Sequence, residues 1–187
     1  RPSGTVTIVN AGYIEGPAAI GADVAAANSV IVHNSGTLVA RGDYAIAFSP
    51  VQGNSLVSLT GGSQVIGGIR FGAGDDVLEI GSVTSGFVFD GLGDGGAGQN
   101  TVRFVDYLLT DLFSFSVRDG IAKFGLNTPA GQISAQVINF DLWRFADDRT
   151  YATREIAAAL SPVPLPAGLP LLMGALAGLA ALRRRKG

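Results

Sequence analysis

Apolar and polar residues alternate along the first half of the chain, and the pattern repeats at a fixed step of 24 in residue number. Positions 6, 8, 10, 12 and 14 hold Val, Ile, Asn, Gly and Ile, and positions 30, 32, 34, 36 and 38 hold Val, Val, Asn, Gly and Leu. Further steps of 24 give one apolar column: Ile8, Val32, Leu56, Ile80 and Phe104. They also give one polar column: Asn10, Asn34, Ser58, Ser82 and Asp106. Such a period, with no helical pattern between the strands, predicts a short parallel β-helix.

The predicted β-helix makes each repeat one rung of an all-β solenoid covering residues 1–104. A rung buries its inward face only against the rungs above and below it, at a spacing of about 4.8 Å. We therefore expect the apolar column to form an interior stack. Asn10 and Asn34 are expected at a corner, where their amides can bond backbone groups that the turn leaves free. Gly12 and Gly36 are expected to give this corner its backbone freedom.

A different pattern begins after Phe104, where the repeat ends. Residues 113–117 alternate, and Asp119-Gly120 separates them from a second apolar segment at 121–124, which predicts a β-hairpin. We interpret residues 105–150 as a β-rich cap, because an uncovered last rung would expose its core and its unpaired backbone edge. Trp143 is expected in the core of this cap. Residues 151–161 are predicted to form a linker with a short helix over 153–160.

The rung segments also resemble those of a known group of surface proteins. Residues 10–16, Asn-Ala-Gly-Tyr-Ile-Glu-Gly, and residues 34–40, Asn-Ser-Gly-Thr-Leu-Val-Ala, are similar to rung motifs of autotransporter passenger domains and related bacterial adhesins. The resemblance covers about residues 4–104. It implies a β-solenoid of the adhesin type.

Two glycine-rich segments resemble the calcium-binding nonapeptide of RTX repeats. They are residues 71–79, Phe-Gly-Ala-Gly-Asp-Asp-Val-Leu-Glu, and residues 95–103, Gly-Gly-Ala-Gly-Gln-Asn-Thr-Val-Arg. In that motif, glycines let the backbone turn so that carbonyl oxygens and a carboxylate point at a hard cation. The second segment has neutral Asn100 at the carboxylate position, and the two copies are one full repeat apart instead of in tandem.

These departures leave two interpretations of the glycine-rich segments. We favour a pair of stacked glycine turns with Asp76 over Asn100, and we expect no cofactor. The alternative is a calcium site centred on Asp75 and Asp76, completed by Asp90 or Asp94.

The C-terminal segment, 162–187, differs in composition from the rest of the chain. It opens with a short motif: Val163, Pro164, Leu165, Pro166 and Ala167. An uncharged run continues to Leu182, and a basic cluster follows: Arg183, Arg184, Arg185 and Lys186. At about 1.5 Å per helical residue, the run from Ala167 to Leu182 spans roughly 24 Å, which approaches the thickness of a bilayer core. We predict a single transmembrane helix whose basic cluster holds the C-terminus in the cytoplasm.

The order of short motif, apolar helix and basic cluster resembles the VPLPA-CTERM sorting tail, a relative of the PEP-CTERM tails that exosortases process in Gram-negative bacteria. The resemblance implies that residues 163–167 are recognised by an exosortase-type enzyme in the membrane, which cuts near the motif and releases or re-attaches the preceding domain. The alternative is an ordinary C-terminal membrane anchor. Both interpretations place the body of the chain outside the cytoplasm.

Composition agrees with an exported protein. The chain has no cysteine, which excludes disulfides, thiol nucleophiles and thiolate metal sites. All 15 acidic residues precede Pro162, whereas four of the 13 Lys and Arg lie in the tail, so residues 1–161 carry 9 − 15 = −6. This acidic body argues against a nucleic-acid partner. Because the chain begins at Arg1 without Met, we expect a fragment or a processed form whose export signal preceded it.

Residues suited to catalysis are few. His33, the only histidine, falls within a predicted strand and is expected on a rung surface. The adjacent acids Asp147 and Asp148, like Asp75 and Asp76, should point to opposite faces of a strand, which does not make an acid–base pair. No nucleophile elbow, metalloprotease helix or phosphate-binding loop is present in the sequence.

The sequence thus favours a noncatalytic surface or extracellular-matrix protein. We expect an inner-membrane-anchored precursor that reaches the cell surface or the medium, with extracellular polysaccharide or other copies of the chain as partners. The alternative is a small β-helical lyase or hydrolase acting on carbohydrate, which would need acids converging on one groove.

Overall fold

The computed structural model describes residues 4–21, 29–48 and 51–160 of the 187-residue chain. These residues form a β-solenoid of about four turns with ~24-residue rungs, as the repeat predicted. Among them, no helix combines the length and the apolar character needed to cross a membrane. The predicted transmembrane helix and sorting tail lie outside the described residues.

Two sheets make up the solenoid. The first has seven strands, in the spatial order β1 (Thr5–Asn10), β4 (Ser29–Asn34), β6 (Leu56–Gly61), β8 (Val77–Val83), β11 (Thr101–Phe104), β15 (Leu142–Arg144) and β16 (Thr150–Ala152). The second has nine strands. Seven follow the order β12 (Leu112–Arg118), β13 (Ile121–Thr128), β14 (Gly131–Ile138), β10 (Leu92–Asp94), β7 (Gln64–Arg70), β5 (Thr37–Ala47) and β2 (Tyr13–Gly16). The other two, β3 (Ile20–Gly21) and β9 (Val88–Asp90), pair with β5 and β7.

The strands of successive rungs pair in parallel, but the register is not constant. Ile8 pairs with Val32 at a step of 24, Val32 pairs with Val57 at a step of 25, and Val57 pairs with Leu78 at a step of 21. The prediction that Leu56 continues the interior column is therefore wrong, since Val57 occupies that position. The observed column is Ile8, Val32, Val57, Leu78, Val102 and Trp143.

The column beside it changes from polar to apolar. Asn10 lies next to Asn34 as predicted, but Asn34 then pairs with Leu59, and Leu59 pairs with Ile80. Ile80 and Phe104 pair at the predicted step, so that part of the stack is confirmed. Ser58 pairs with His33 instead of Asn34, because a one-residue slip in register moves every side chain of a strand to the opposite face.

The predicted hairpin is confirmed, and it interrupts the last turn of the solenoid. β12 and β13 pair antiparallel, and Asp119 (φ 52°) and Gly120 (φ 79°) both adopt the left-handed conformation that suits a two-residue hairpin turn. Beyond the hairpin, β14 stacks in parallel on β10 and β15 stacks in parallel on β11. Trp143 consequently lies beside Val102, at a sequence separation much longer than one repeat.

An aromatic cluster and a helix cover this end of the solenoid. The rings belong to Phe104, Phe115, Phe124, Trp143, Phe145 and Tyr151, with neighbouring centroids 4.9–6.1 Å apart. Trp143 has no solvent exposure, which confirms its place in the core. The predicted short helix is α1, Thr153–Leu160, which buries Ile156 and contacts β12, β15 and β16. The hydroxyl of Thr153 joins the two parts, because it accepts a hydrogen bond from the Trp143 indole (3.0 Å) and lies 2.8 Å from the Phe140 carbonyl oxygen.

Candidate functional site

Polar side chains at one corner of the solenoid link four successive rungs. The chain of contacts begins at the backbone N–H of Ser55, which donates to Asp76 Oδ1 (2.6 Å). The N–H of Asp76 donates to Asn100 Oδ1 (2.9 Å), and that of Asn100 donates to Asp141 Oδ2 (3.4 Å). Each side chain therefore satisfies a backbone donor of the preceding rung, which a corner would otherwise leave unpaired. We call this set the acid ladder.

Asp76 is the most unusual member of the acid ladder. Its side chain has no solvent exposure, and among the described residues its Oδ2 atom has no hydrogen-bond partner. Burial raises the pKa of Asp76 to about 6, the N–H of Ser55 opposes that rise, and the neighbouring Asp75 carboxylate adds to it. A carboxylate in this position costs free energy when it is charged, since one of its oxygens has lost water without gaining a partner.

A second ladder, of amides, lies at the corner that follows β1 and β4. Asn10 Nδ2 donates to Asn34 Oδ1 (2.8 Å), and Asn34 Nδ2 donates to Ser63 Oγ (2.6 Å). The predicted role of the asparagines is confirmed, because Asn10 Oδ1 accepts from the N–H of Gly12 (3.1 Å) and Asn34 Nδ2 donates to the carbonyl of Gly36 (3.0 Å). The predicted role of the glycines is not: neither Gly12 nor Gly36 has a positive φ. Gly36 is instead required by close approach, because a Cβ there would overlap the carbonyl oxygen of Gly12 on the next rung.

The four acids proposed for calcium have separate surroundings. Asp75 Oδ1 accepts from the N–H of Gln99 (2.8 Å), and Asp76 belongs to the acid ladder. Asp94 Oδ1 accepts from Gly96 N–H (3.0 Å) and Asn139 Nδ2 (2.8 Å), and Asp90 is exposed at the end of β9. Within the described ranges, no group of three or more His, Asp or Glu side chains is placed to hold a metal ion.

The two glycine-rich segments, 71–79 and 95–103, form the pair of stacked glycine turns that the sequence analysis favoured. Ala73 and Ala97 form a parallel bridge, and the N–H of Ala97 donates to the carbonyl of Gly72 (3.1 Å). A Cβ at Gly98 would overlap the carbonyl oxygen of Gly74, so the turns approach too closely for a side chain. Asp76 lies over Asn100, as expected.

Other residues singled out from the sequence fall in three places. His33 is exposed on β4, as predicted. Asp147 and Asp148 are exposed and pair with arginines: Asp148 with Arg144 (2.7 Å) and Asp147 with Arg149 (3.4 Å). Both parts of the tail, the motif at 163–167 and the basic cluster at 183–186, lie outside the described residues.

Two surface grooves formed by the described residues are lined by acidic side chains. The first, which we call the hairpin groove, has a volume of about 360 Å³. It is lined by Phe89, Asp90, Gly91, Ser114, Ser116, Lys123, Phe124, Ser134, Ala135 and Gln136. The second, the Asp106 groove, has a volume of about 460 Å³. It is lined by Ser82, Val83, Asp106, Tyr107, Asp111, Asn127, Thr128 and Pro129.

Both acids of the Asp106 groove are already engaged with the backbone. Asp106 Oδ2 accepts from the N–H of Ser82 (2.6 Å) and from its hydroxyl (3.0 Å), and Asp111 Oδ2 accepts from Leu108 N–H (2.7 Å). The hydroxyl of Tyr107 accepts from the N–H of Val83 (3.1 Å), and burial raises the pKa of Tyr107.

The chain was compared with protein-family models, curated proteins and solved structures. No protein-family model, curated protein or solved structure matches the chain. The function must therefore be inferred from the sequence and from the site.

Sequence patterns missed both grooves. Each is assembled from segments that are far apart in the chain: Asp90 of β9 and Lys123 of the hairpin line the first, and Ser82, Asp106 and Asn127 line the second. For the Asp106 groove, the available signal was the polar column, which places Ser82 and Asp106 one step of 24 apart. For the hairpin groove, it was the polar half of the alternation in β12, where Ser114 and Ser116 alternate with Phe113, Phe115 and Val117. That alternation predicts a solvated face but does not say what other elements surround it.

Proposed function

We propose that this chain is a noncatalytic, exported surface or extracellular-matrix protein, anchored and sorted through its C-terminal VPLPA-type tail. The observation that carries this proposal is the use of the acidic side chains. Asp75, Asp76, Asp94, Asp106, Asp111 and Asp141 each accept a hydrogen bond from a backbone N–H. Acids that hold rungs and turns together act as structural groups, whereas a general acid or base must be free to exchange a proton with substrate.

The rest of the proposal depends on the tail. The motif at 163–167 supports recognition by an exosortase-type enzyme, and the basic cluster at 183–186 supports a cytoplasmic C-terminus. Export suits a chain without cysteine and with an acidic body. A rigid solenoid offers flat faces for contacts with polysaccharide or with other copies of the chain.

A localisation experiment tests the tail. The full-length gene product, with an epitope inserted at the exposed Pro129–Ala130 turn, is followed in a Gram-negative host that carries an exosortase. We expect the epitope at the cell surface or in the medium for the parent. We expect Pro164→Ala/Pro166→Ala to accumulate in the inner-membrane fraction. Normal release of that variant would reduce the tail to a plain anchor, and a cytoplasmic epitope in the parent would refute export.

One observation favours the alternative, a small carbohydrate-active enzyme: the Asp106 groove is lined by two acids, Asp106 and Asp111. Incubation of the purified chain with neutral and acidic glycans, with reducing ends and unsaturated products measured, separates the two functions. We expect no turnover. Turnover that is lost in both Asp106→Asn and Asp111→Asn would establish the enzyme and overturn the noncatalytic proposal.

A further inference from the structure

The outer face of the hairpin carries a row of polar side chains across three adjacent strands. Cross-strand neighbours in an antiparallel pair share a face, so the pairs Ser116↔Lys123 and Lys123↔Gln136 place these three side chains together. The pair Gly125↔Ser134 and the pair Ser114↔Gly125 form a second row beside the first. Hydroxyls, an amide and an ammonium group thus occupy one side of the hairpin groove.

An aromatic ring lies within the second row. The register of β12 shifts between Leu112 and Ser114, and this irregularity brings Phe113 to the same face as Ser114. A Cβ at Gly125 would overlap the tip of the Phe113 ring and would also crowd Ser114 Oγ, so the ring lies over the glycine. Phe113 keeps 46% of its surface exposed, unlike the ring of Phe124, which is 2% exposed. Gly125 therefore provides the space that the tip of this ring occupies.

The opposite side of the hairpin groove supplies the remaining chemistry. Asp90 is exposed at the end of β9 and lines the groove together with Lys123. The Asp90 carboxylate accepts hydrogen bonds and the Lys123 ammonium donates them. Together the two groups carry no net charge. At about 360 Å³ the groove falls within the size range of small-molecule clefts.

We propose that the hairpin groove, with Phe113 at its edge, binds a segment of a neutral polysaccharide. A pyranose ring presents an apolar C–H face that can stack on an aromatic ring, and a rim of hydroxyls that matches Ser, Gln, Asp and Lys side chains. Lys123 and Asp90 together give no net charge, and residues 1–161 carry 9 − 15 = −6, so a polyanionic glycan is disfavoured. This inference names the partner of the surface function proposed above and rests on that proposal for its biological setting.

Calorimetric titration tests the site directly. The full chain is kept in a zwitterionic detergent, because sugar-headgroup detergents would compete for the groove. Four neutral hexasaccharides, cellohexaose, maltohexaose, xylohexaose and mannohexaose, are compared with an oligogalacturonate of the same length. We expect at least one neutral hexasaccharide to bind, and Phe113→Ala to weaken that binding about tenfold through loss of stacking.

Two further variants locate the effect. Gly125→Ala displaces the Phe113 ring without removing it, because the added Cβ would overlap the tip of the ring, and it should also weaken binding. Val117→Ala is the matched control, because Val117 lies on the same strand with the same 46% exposure but pairs with Ala122 on the opposite face of the sheet from Ser116 and Lys123. Its affinity should equal that of the parent, and intact circular dichroism of all three variants shows that folding is preserved.

Several results would overturn the proposal. They are the absence of binding to all four neutral probes, tighter binding of the oligogalacturonate, or equal affinities for Phe113→Ala, Val117→Ala and the parent. Failure here is distinct from failure of the proposed function. A surface-exposed chain that binds no glycan removes the groove assignment alone, whereas binding accompanied by turnover retains the groove and removes the noncatalytic function.

Discussion

Replacing Asp76 by Asn should stabilise the chain, and the gain should depend on pH. In the folded chain the pKa of Asp76 is about 6, above the ordinary 3.8 of an unfolded aspartate. Proton uptake by the folded state therefore contributes stability that is full below pH of about 4 and is lost as the pH rises through about 6. The difference between the two pKa values corresponds to at most about 3 kcal/mol.

The substitution removes this penalty without changing the shape of the ladder. Asn100 already occupies the equivalent position on the next rung, where its Oδ1 accepts a backbone N–H (2.9 Å) and its Nδ2 donates to the Asn139 carbonyl (2.9 Å). In Asp76→Asn the oxygen can keep the bond from Ser55. We therefore expect the variant to match the parent near pH 4 and to exceed it by at most about 3 kcal/mol at pH 8.

Urea denaturation followed by fluorescence measures the effect, because the single tryptophan, Trp143, is fully buried. With a urea m-value of about 1–3 kcal/mol/M, a gain of about 3 kcal/mol moves the midpoint by about 1–3 M. Asp90→Asn is the control, since that carboxyl is exposed and belongs to neither ladder. A variant that is less stable than the parent at pH 8, or a difference that does not change between pH 4 and pH 8, would refute the assignment of a buried, partly unsatisfied carboxylate.

Three other outcomes follow from the same geometry. Gly36→Ala should lower the free energy of unfolding by about 1–3 kcal/mol, because the added Cβ would overlap the Gly12 carbonyl. Gly12→Ala is its control and should change that free energy little, because the nearest atom to its Cβ would be 3.9 Å away. Equal urea midpoints for the two variants would contradict the close-approach argument. Asn34→Ala should lower the free energy of unfolding by about 1–3 kcal/mol, because its buried hydrogen-bond partners would be left unsatisfied. His33→Ala, at an exposed position, is the control. A shift in urea midpoint no larger than that of the control would argue against the amide ladder. A chelator should leave the melting temperature unchanged, and a fall of several degrees would establish a structural ion at the glycine turns.

The sequence repeat located the solenoid but not its register. Positions 56, 57 and 59 are all apolar, so alternation in β6 fits either face and the constant step selected Leu56 where the structure buries Val57. The step changes to 25 between Val32 and Val57 and to 21 between Val57 and Leu78, which leaves a net shift of two residues, so the column continues at Leu78 instead of Ile80. A stronger guide was the row of polar residues at one corner, since Asp76 and Asn100 keep the predicted spacing and are bonded to each other.

In the cap, the sequence predicted the local elements but not how the chain returns to the solenoid. The hairpin and the short helix were both predicted, because each depends on local turn and helix signals at Asp119-Gly120 and over 153–160. The return of the chain to the solenoid was not, since Trp143 lies beside Val102 only after an inserted segment that breaks the repeat. The hairpin groove was missed for the same reason: its position depends on how a non-local insertion lies against β9.

The inner and outer faces of the inserted hairpin serve different purposes. Strands β14 and β15 resume parallel stacking on β10 and β11 although β12 and β13 intervene, and the inner face of the hairpin packs Phe115 and Phe124 against Trp143. Changes on the outer face of the hairpin therefore alter recognition, whereas its inner face must keep filling the end of the core. Divergent copies of such a protein would acquire new specificities by exchanging the polar side chains of that outer face.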